Sequence, residues 1–542
     1  MFAVPLHSEV VANIRPVMLA LMGAVIFLLM IVSANLANLM LAWAASRSRE
    51  MAVRTALGAT RTALTRQVLF LSLMLSLAGA ALGALIATGS VAMIKNFSSV
   101  RIPRLDEISV DLRVLLFLLG VSLSIGLIFS LVPVIKIWYF DVGEALKSAT
   151  PTSTGNRGRI RSLLVVSEIA FSVILLVGAG LLIQTLYRLQ HVDLGFKVSN
   201  MLTTRIFLPQ KTYSDSSKRI NFWRSLVENT SHLPGVESTA IVTELPLSGQ
   251  DNPTAFTART KTGDSFVFKV RGISPGYFNL MGIPLKAGRT LTNGDQPNTE
   301  HVVVLNEAGA HIFGSGNPIG EELTFDFGPY TAHVVGVVGN IRHASVASSP
   351  DREAYFPMPQ TPLLAYSLAV RTVNNPESLT NPVREVLRKL DPDQSVGAFQ
   401  TMNSLVEEHL SRAKFPALMV ALFAGVALLL SSVGLYGVLS YLVSQRTPEI
   451  GLRMALGADH SDILGLFIRQ GALLTGTGLI IGLIGAFLVV GFISSVLYGV
   501  DAKDPVTYLT SIAVVTVLSI LASYVPGRSC LRLDPLRALR HE

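Results

Sequence analysis

Two nearly identical charged stretches, REMAVRTALGA at residues 49–59 and PEIGLRMALGA at residues 448–458, decide how this chain is organised. Glu50 aligns with Glu449 and Arg54 aligns with Arg453 at one offset of 399 residues. Each stretch stands between two long apolar runs. A loop that recurs together with its flanks indicates an internal duplication.

The composition indicates a membrane protein. Of 542 residues, 50% are hydrophobic and only 15% are charged, with a mean hydropathy of +0.50, whereas soluble domains carry about 25% charge. The net charge of +8 comes from Lys and Arg in short loops beside apolar runs, which is typical of a basic membrane face rather than of nucleic-acid binding. The single cysteine, Cys530, excludes an internal disulfide framework.

Apolar runs of about 20 residues predict seven transmembrane helices. The predicted spans cover residues 17–45, 67–94, 114–135, 162–187, 415–444, 470–498 and 506–526. Lys and Arg concentrate in alternate loops and in the C-terminal tail. Because basic loops face the cytoplasm, this distribution of Lys and Arg predicts an N-terminus outside the plasma membrane and a C-terminus in the cytoplasm.

This topology leaves residues 188–414 outside as one block, large enough for its own core. Short β-branched runs alternate there with Gly, Pro and Asn, and predict strands at TAIVTELPL, FVFKVRGI, HVVVLN and AHVVGVVGNI. Helical patterns occur at SSKRINFWRSLVENTSHL and NNPESLTNPVREVLRKL. We predict a mixed α/β domain and not a β-barrel.

The duplication extends beyond the loops. The GxxxG pair Gly79 and Gly83 recurs as Gly478 and Gly482 at the same offset, and small residues four apart favour close helix packing in a bilayer. The chain ends of the two copies also match, at an offset of 393. We therefore predict the following parts: a segment outside the membrane at 1–16, a first repeat at 17–148, a linking helix at 162–187, the outside domain at 188–414 and a second repeat at 415–542.

The repeated loop has two interpretations. Each copy places an acid and an arginine at i and i+4, where they can pair on one helical turn, and follows them with a glycine able to end the helix. One copy alone is typical of a solvated interfacial helix. Two copies favour a pair of docking elements for a symmetric cytoplasmic partner. The predicted coupling residues are Glu50, Arg54, Leu57, Gly58, Glu449, Arg453, Leu456 and Gly457.

These loops resemble the cytoplasmic loop of the MacB/FtsX-like permeases of ABC transporters. The segments RGISPGYFNLMGIPLKAGRTLTNGD and VVVLNEAGAHIFGSGNPIGEELTF are similar to the MacB periplasmic core domain. The resemblance implies an α-helical transmembrane bundle of two FtsX-like three-helix repeats with an α/β periplasmic core domain. The double arrangement is most similar to the duplicated acidobacterial-type permeases. Those begin with a further transmembrane helix and a first periplasmic domain, which we expect this sequence to lack. The resemblance thus implies that residues 1–16 are the remnant of a periplasmic segment.

The resemblance also implies a function. The chain has no GxxxxGK[ST] phosphate-binding loop, so we expect ATP and Mg²⁺ to bind a separate cytoplasmic ABC ATPase dimer. The permease would transmit ATP-driven movement across the bilayer to the periplasmic domain, in efflux or extraction of a substrate. A periplasmic adaptor or enzyme is a further implied partner. The alternative is a membrane scaffold that regulates a periplasmic partner such as a cell-wall hydrolase.

Other chemistry is weakly represented. GISPG at residues 272–276 fits the G-x-S-x-G pattern, but the residue after Ser274 is Pro275, which has no N–H for an oxyanion hole. A turn is therefore favoured over a hydrolase site. Glu168 is an acid inside a predicted span, where proton coupling is one interpretation. A structural role is favoured, with the carboxylate able to reach the inner interface. No metal-ligand spacing occurs.

Overall fold

A computed structural model describes residues 6–46, 54, 60–97, 109–138, 154–249, 255–314, 316–327, 330–445, 460–493 and 497–530. The chain divides into two compact units, one of residues 1–187 with 413–542 and the other of residues 188–412. The first is a bundle of long helices and the second mixes strands with short helices. An α-helical transmembrane bundle with an α/β domain is thereby confirmed as the fold class.

The helical unit contains seven described long helices. They are α1 (Leu6–Ser46), α2 (Arg61–Phe97), α3 (Leu112–Trp138), α4 (Thr154–Gln190), α9 (Met402–Gln445), α10 (His460–Ile493) and α11 (Pro505–Cys530). Six are long and apolar enough to cross a membrane, and in α3 the described apolar section, Leu112–Ile128, is shorter. Continuous helix satisfies every backbone group without water, as a bilayer interior requires. The seventh span stays a prediction.

In each repeat, the second and third helices are in close contact. In the first repeat a Cβ placed on Gly126 of α3 would lie 2.4 Å from Oγ of Ser76 on α2. In the second, a Cβ placed on Gly471 of α10 would lie 2.2 Å from Oγ of Ser523 on α11. Both contacts bring a glycine against a serine, so the second and third helices of each repeat approach closely.

The second unit, which we call the outer unit because the sequence predicts it to lie outside the membrane, contains all twelve described strands and four short α-helices. These are β1 (Met201–Phe207), α5 (Ser216–Ser231), β2 (Val236–Val242), β3 (Ala255–Thr260), β4 (Ser265–Ile273), α6 (Tyr277–Met281), β5 (Leu285–Gly288), β6 (Val302–Asn306), α7 (Glu307–Ala310), β7 (Glu322–Phe325), β8 (Tyr330–Val338), β9 (Glu353–Pro357), β10 (Ala365–Thr372), α8 (Thr380–Leu390), β11 (Ser395–Val396) and β12 (Gln400–Thr401). The α/β prediction is confirmed.

Part of this α/β domain also closes on itself, which the sequence did not predict. Strands pair in the order β4-β3-β7-β8-β6-β9, and β9 pairs in parallel with β4, which closes a ring of six. The sequence did not show this because the closing pair joins strands about 80 residues apart, and no local pattern records such a pairing. Aromatic side chains fill the ring, including Phe268, Phe325 and Phe356.

The remaining sheet, β11-β1-β10-β2 with β12 beside β1, is antiparallel. Helices α5 and α8 cover it, and its core centres on Trp223, which packs edge-on against Phe222 and Tyr366. The buried indole donates to the carbonyl of Leu363 at 3.0 Å, so its polar atom is satisfied. The sheet meets the ring of six strands where Val242 of β2 pairs with Ile273 of β4.

Candidate functional site

The predicted coupling loops are described only in part. Arg54 lies on the surface, and its Nη1 donates to Oε1 of Gln67, near the start of α2, at 3.1 Å. The other seven predicted coupling residues lie outside the described residues, so their pairing and docking role stay predictions. They are Glu50, Leu57, Gly58, Glu449, Arg453, Leu456 and Gly457.

The two GxxxG pairs have different surroundings. A Cβ on Gly478 of α10 would lie 2.7 Å from Cγ2 of Ile169, and one on Gly482 would lie 2.7 Å from Cβ of Val173. Helix α10 therefore rests directly on α4. At Gly79 and Gly83, no described atom lies within 4 Å of the equivalent Cβ apart from chain neighbours and the backbone of the same helix. One pair packs against a helix, and its counterpart faces open space.

A polar cluster occupies the interior of the helical unit. Glu168 is fully buried on α4, and its Oε1 accepts a hydrogen bond from Nδ2 of Asn38 on α1 at 3.2 Å. Ser431 on α9 donates to the carbonyl of Glu168 at 3.0 Å, and its Oγ lies 2.6 Å from that of Ser172. Asn35 of α1 donates to the carbonyl of Leu430 at 3.0 Å.

This cluster corrects the expectation that Glu168 reaches the inner interface. The carboxylate points between α1 and α9, and a Cβ on Gly434 would lie 2.0 Å from its Oε2. Glycine at that position makes room for the acid. Arg161 lies near the N-terminal end of α4 and is also buried. Its guanidinium lies 3.7 Å from the ring centroid of Tyr441. The cluster ties α1, α4 and α9 together by hydrogen bonds, which fits the favoured structural role.

Ser274 is built into the sheet rather than exposed at an elbow. Its side chain is buried, and its Oγ accepts a hydrogen bond from the N–H of Ile241 at 2.9 Å. The Ser274 N–H donates back to the carbonyl of Ile241 at 3.0 Å. The helix that follows, α6, has only five residues. This arrangement agrees with the turn that Pro275 predicts.

The outer unit holds a buried ion network that the sequence analysis missed. Arg271 of β4 donates through Nη1 to Oε2 of Glu244, and its Nε lies 3.6 Å from Oε1 of Glu353 on β9. Tyr355 donates to the other oxygen of Glu353, and Nδ1 of His343 lies 3.3 Å from Glu353 Oε1. All five side chains are buried. The network lies where the antiparallel sheet meets the ring of six strands.

Burial and neighbouring charges shift the pKa values of Arg271 and Glu353 in opposite directions. Burial alone would lower the pKa of Arg271, but Glu353 and Glu244 more than offset it and leave the pKa raised. Burial raises the pKa of Glu353, although Arg271 and the Tyr355 hydrogen bond oppose the change. Burial, with Arg271 and Lys269 nearby, holds the pKa of His343 well below its usual value of 6.5. His343 is therefore neutral at pH 7.

The His343 shift predicts that acid destabilises the outer unit. Between its ordinary pKa of 6.5 and its lowered native pKa, the unfolded chain binds a proton that the folded chain does not, so the free energy of unfolding falls as the pH falls. One such proton changes that energy by about 1.4 kcal/mol per pH unit. We expect pulse proteolysis in urea, scored on fragments of residues 188–412, to show this loss below pH 6.5. His343→Asn should make this loss smaller. An equal slope in both proteins would contradict the assignment.

Within the described residues, no group of three or more His, Cys, Asp or Glu side chains could hold a metal ion. The sequence contained signs of both the polar cluster and the ion network. Asn35 and Asn38 interrupt an apolar run at i and i+3, and Arg271 follows the apolar residues Phe268 and Val270 on the buried part of β4. Each is a polar residue placed where burial requires a partner, and the partners lie far along the chain.

Comparison with known families agrees with this architecture. The FtsX-like permease C-terminal family matches residues 22–141 and again residues 421–535. The MacB-like periplasmic core domain family matches residues 162–401. The chain thus carries two FtsX-like permease domains with a MacB-like core domain between them, and it belongs to the MacB/FtsX-like permeases. It is a multi-pass membrane protein.

Individual relatives are distant. The probable syringafactin export ATP-binding/permease protein SyfD of Pseudomonas syringae pv. tomato is 26% identical over 51% of this chain and 42% of its own length. The macrolide export ATP-binding/permease protein MacB of Acinetobacter baylyi is 25% identical over 64% of this chain and 52% of its own. The chain spans about half the length of these relatives. The periplasmic region of MacB from Actinobacillus actinomycetemcomitans matches 39% of this chain and 93% of its own at 21% identity, with a TM-score of 0.29.

Proposed function

We propose that this chain is the membrane permease subunit of an ABC-type transporter, working by mechanotransmission. A separate cytoplasmic ATPase dimer binds ATP and Mg²⁺ and docks on the two repeated loops. Closure of the dimer moves the loops, and the helices carry the movement to the outer unit, which lies in the periplasm. There it acts on a substrate for efflux or extraction, with or without a periplasmic adaptor.

The duplication of the charged loop is the observation that carries this proposal. Both permease domains repeat the acid, the arginine and the following Ala-Leu-Gly-Ala at one spacing. Two equal docking elements suit a dimeric partner with two equal sites. Syringafactin and macrolide relatives bear names that combine permease with ATP binding, and this chain has no phosphate-binding loop of its own.

Reversal of both loop arginines tests the proposal. In Arg54→Glu with Arg453→Glu, two attractive contacts with the ATPase become repulsive, so we expect the partner to be lost or its coupled activity to fall by about tenfold or more. The protein is purified from its native membrane in mild detergent. Vanadate-sensitive ATP hydrolysis and the co-purifying P-loop polypeptide are then measured.

Lys95→Glu with Lys503→Glu is the matched control, because it reverses one charge in the last turn of α2 and one in the loop before α11, both at ends of helices that the predicted topology places on the other side of the membrane. The control should keep both the partner and the activity. If the loop double variant also keeps both, the repeated loops are not the ATPase dock. If the intact wild-type protein brings down no ATPase but does bind a periplasmic protein, the scaffold alternative gains support instead.

A further inference from the structure

The polar cluster of the helical unit contains oxygen atoms that no donor reaches. Glu168 of α4 and Asn38 of α1 are both more than nine-tenths buried. Oε1 of Glu168 accepts a hydrogen bond from Asn38, but Oε2 of Glu168 and Oδ1 of Asn38 have no partner among the described residues. Both residues lie in apolar helices long enough to span a membrane, where no water satisfies a polar group. Buried oxygens in this state are costly.

The two asparagine amides of α1 cannot supply the missing donors by turning over. Nδ2 of Asn35 donates to the carbonyl of Leu430 at 3.0 Å, and Nδ2 of Asn38 donates to Oε1 of Glu168 at 3.2 Å. Rotation of either amide would place its oxygen against that same carbonyl or carboxylate oxygen, and both are acceptors. The present orientation is therefore favoured, and it leaves the oxygen of each amide available to a cation.

Glu168 also brings a negative charge into the cluster. Among the described residues, no Lys, Arg or His forms an ion pair with its carboxylate. The nearest basic residue along α4 is Arg161, which lies two helical turns away and packs on the ring of Tyr441. A carboxylate without a counter-charge is strongly unfavourable in an apolar bundle. The charge and the unpartnered oxygens therefore both favour a bound cation.

The oxygens converge on one small space. Oε2 of Glu168 and Oδ1 of Asn35 both lie within 2.8 Å of the point where a Cβ on Gly434 would stand. Hard cations hold their oxygen ligands at about 2.3–2.6 Å, so two oxygens this close to one point can share an ion. Glycine at position 434 keeps the side chains of α9 out of that space.

We propose that Glu168, Asn35 and Asn38 bind one sodium ion between α1, α4 and α9. Carboxylate and amide oxygens suit a hard cation and not a soft transition metal. One negative charge balances a monovalent ion, whereas a divalent ion would bring uncompensated charge into the apolar bundle. The space is bounded by three packed helices and offers few ligands, which favours sodium over the larger potassium ion.

A proton on Glu168 is the competing explanation. One proton bridges one pair of oxygens, so it could join Oε2 of Glu168 to Oδ1 of Asn35. It would leave Oδ1 of Asn38 buried without a partner. A sodium ion takes several oxygen ligands at once, and it can therefore satisfy all three oxygens as well as the charge.

The internal repeat explains why the two copies contribute differently to this site. At the offset of 399 residues, Asn35 corresponds to Gly434 and Asn38 corresponds to Gly437. The first repeat thus supplies two amide oxygens, and the second repeat supplies the room that the carboxylate of Glu168 occupies. The ion therefore holds α1 and α9, the first helices of the two repeats, together through α4. This inference does not depend on ATPase coupling.

Equilibrium binding of radioactive sodium tests the proposal. The full chain is purified and placed in lipid nanodiscs, and bound sodium is measured at fixed pH and ionic strength, with choline replacing sodium. We expect saturable binding of one ion per chain, with weaker competition from potassium than from unlabelled sodium. No ATPase, ATP or substrate is present, so a negative result here leaves the proposed transport function untouched.

Glu168→Gln should abolish sodium binding without disturbing the fold. The glutamine keeps the shape of the acid and still accepts from Asn38, and its own amide can donate to Asn35, so the cluster no longer needs a cation. Glu407→Gln is the matched control, because it makes the same change at an exposed acid of α9 and should keep the binding.

Asn35→Ala provides a second variant that keeps the charge of Glu168. It removes one oxygen ligand, so we expect sodium affinity to fall by about tenfold. This variant keeps the proposal testable if Glu168→Gln fails to fold.

Two results would overturn the proposal. If the wild-type chain binds no sodium, a proton or a water molecule satisfies the cluster instead. If Glu168→Gln and Asn35→Ala both bind sodium as tightly as Glu407→Gln does, the ion binds elsewhere in the chain.

Discussion

Replacement of Gly482 by leucine is expected to separate α10 from α4 and to lower the free energy of unfolding of the helical unit by about 3 kcal/mol. The cause is the short distance between the helices. A Cβ at this position already lies 2.7 Å from Cβ of Val173 and 2.8 Å from the carbonyl oxygen of Ala170. Backbone cannot move aside as a flexible side chain can. Unfolding of the purified full chain by titration with a denaturing detergent measures the loss.

Gly83→Leu is the matched control, since it makes the same chemical change at the counterpart position. Because no described atom beyond chain neighbours and the backbone of the same helix lies within 4 Å of that Cβ, we expect the stability of Gly83→Leu to stay within about 0.5 kcal/mol of the wild type. We therefore expect Gly482→Leu to lower the free energy of unfolding much more than Gly83→Leu does. Equal losses in the two variants would show that α4 does not pack on the second repeat as described.

Arg271→Met should be the most damaging single substitution in the outer unit. It leaves Glu244 and Glu353 buried without their shared cation, and loss of one partner from a buried ion pair costs about 3–5 kcal/mol. The variant should therefore unfold at a clearly lower urea concentration. Pulse proteolysis of the full chain, scored on fragments of residues 188–412, follows this unit specifically.

Arg289→Met provides the comparison. Arg289 also pairs with a carboxylate, Asp295, at 2.9 Å, but the arginine side chain is 47% exposed. Exposed pairs contribute about 0–1 kcal/mol, so this variant should unfold close to the wild type. If Arg271→Met is equally mild, the network does not hold the antiparallel sheet to the ring of six strands.

The membrane part of the fold is well predicted because its signals are local. A run such as residues 162–187 must be helical in a bilayer, since no water satisfies its backbone. The repeat is also visible in the sequence, because duplicated loops keep their spacing. The outer unit was predicted to be α/β from short β-branched runs and two amphipathic patterns, and both patterns form helices where expected.

The interactions that were missed all join distant parts of the chain. Pairing of β4 with β9 closes the six-stranded ring, and Arg271 reaches Glu353 across that same pair of strands. Asn38 meets Glu168 over 130 residues. The GxxxG motif does not distinguish Gly79 from Gly478, because both belong to the same repeated pair of glycines and only the packing around them differs. A polar residue in an apolar run indicates that it needs a buried hydrogen-bonding or charged partner, but a single sequence does not show which residue that partner is.

Capture of a partner at the repeated loops tests the central claim most directly. A photo-crosslinking phenylalanine analogue is placed at Leu57, at Leu456 and, for comparison, at Val373 in the outer unit, and cells are irradiated before the membranes are solubilised. The account predicts that positions 57 and 456 both capture one P-loop ATPase and that position 373 does not. Intact protein that captures no ATPase at either loop, while position 373 captures a periplasmic protein, would contradict the account and favour the scaffold alternative.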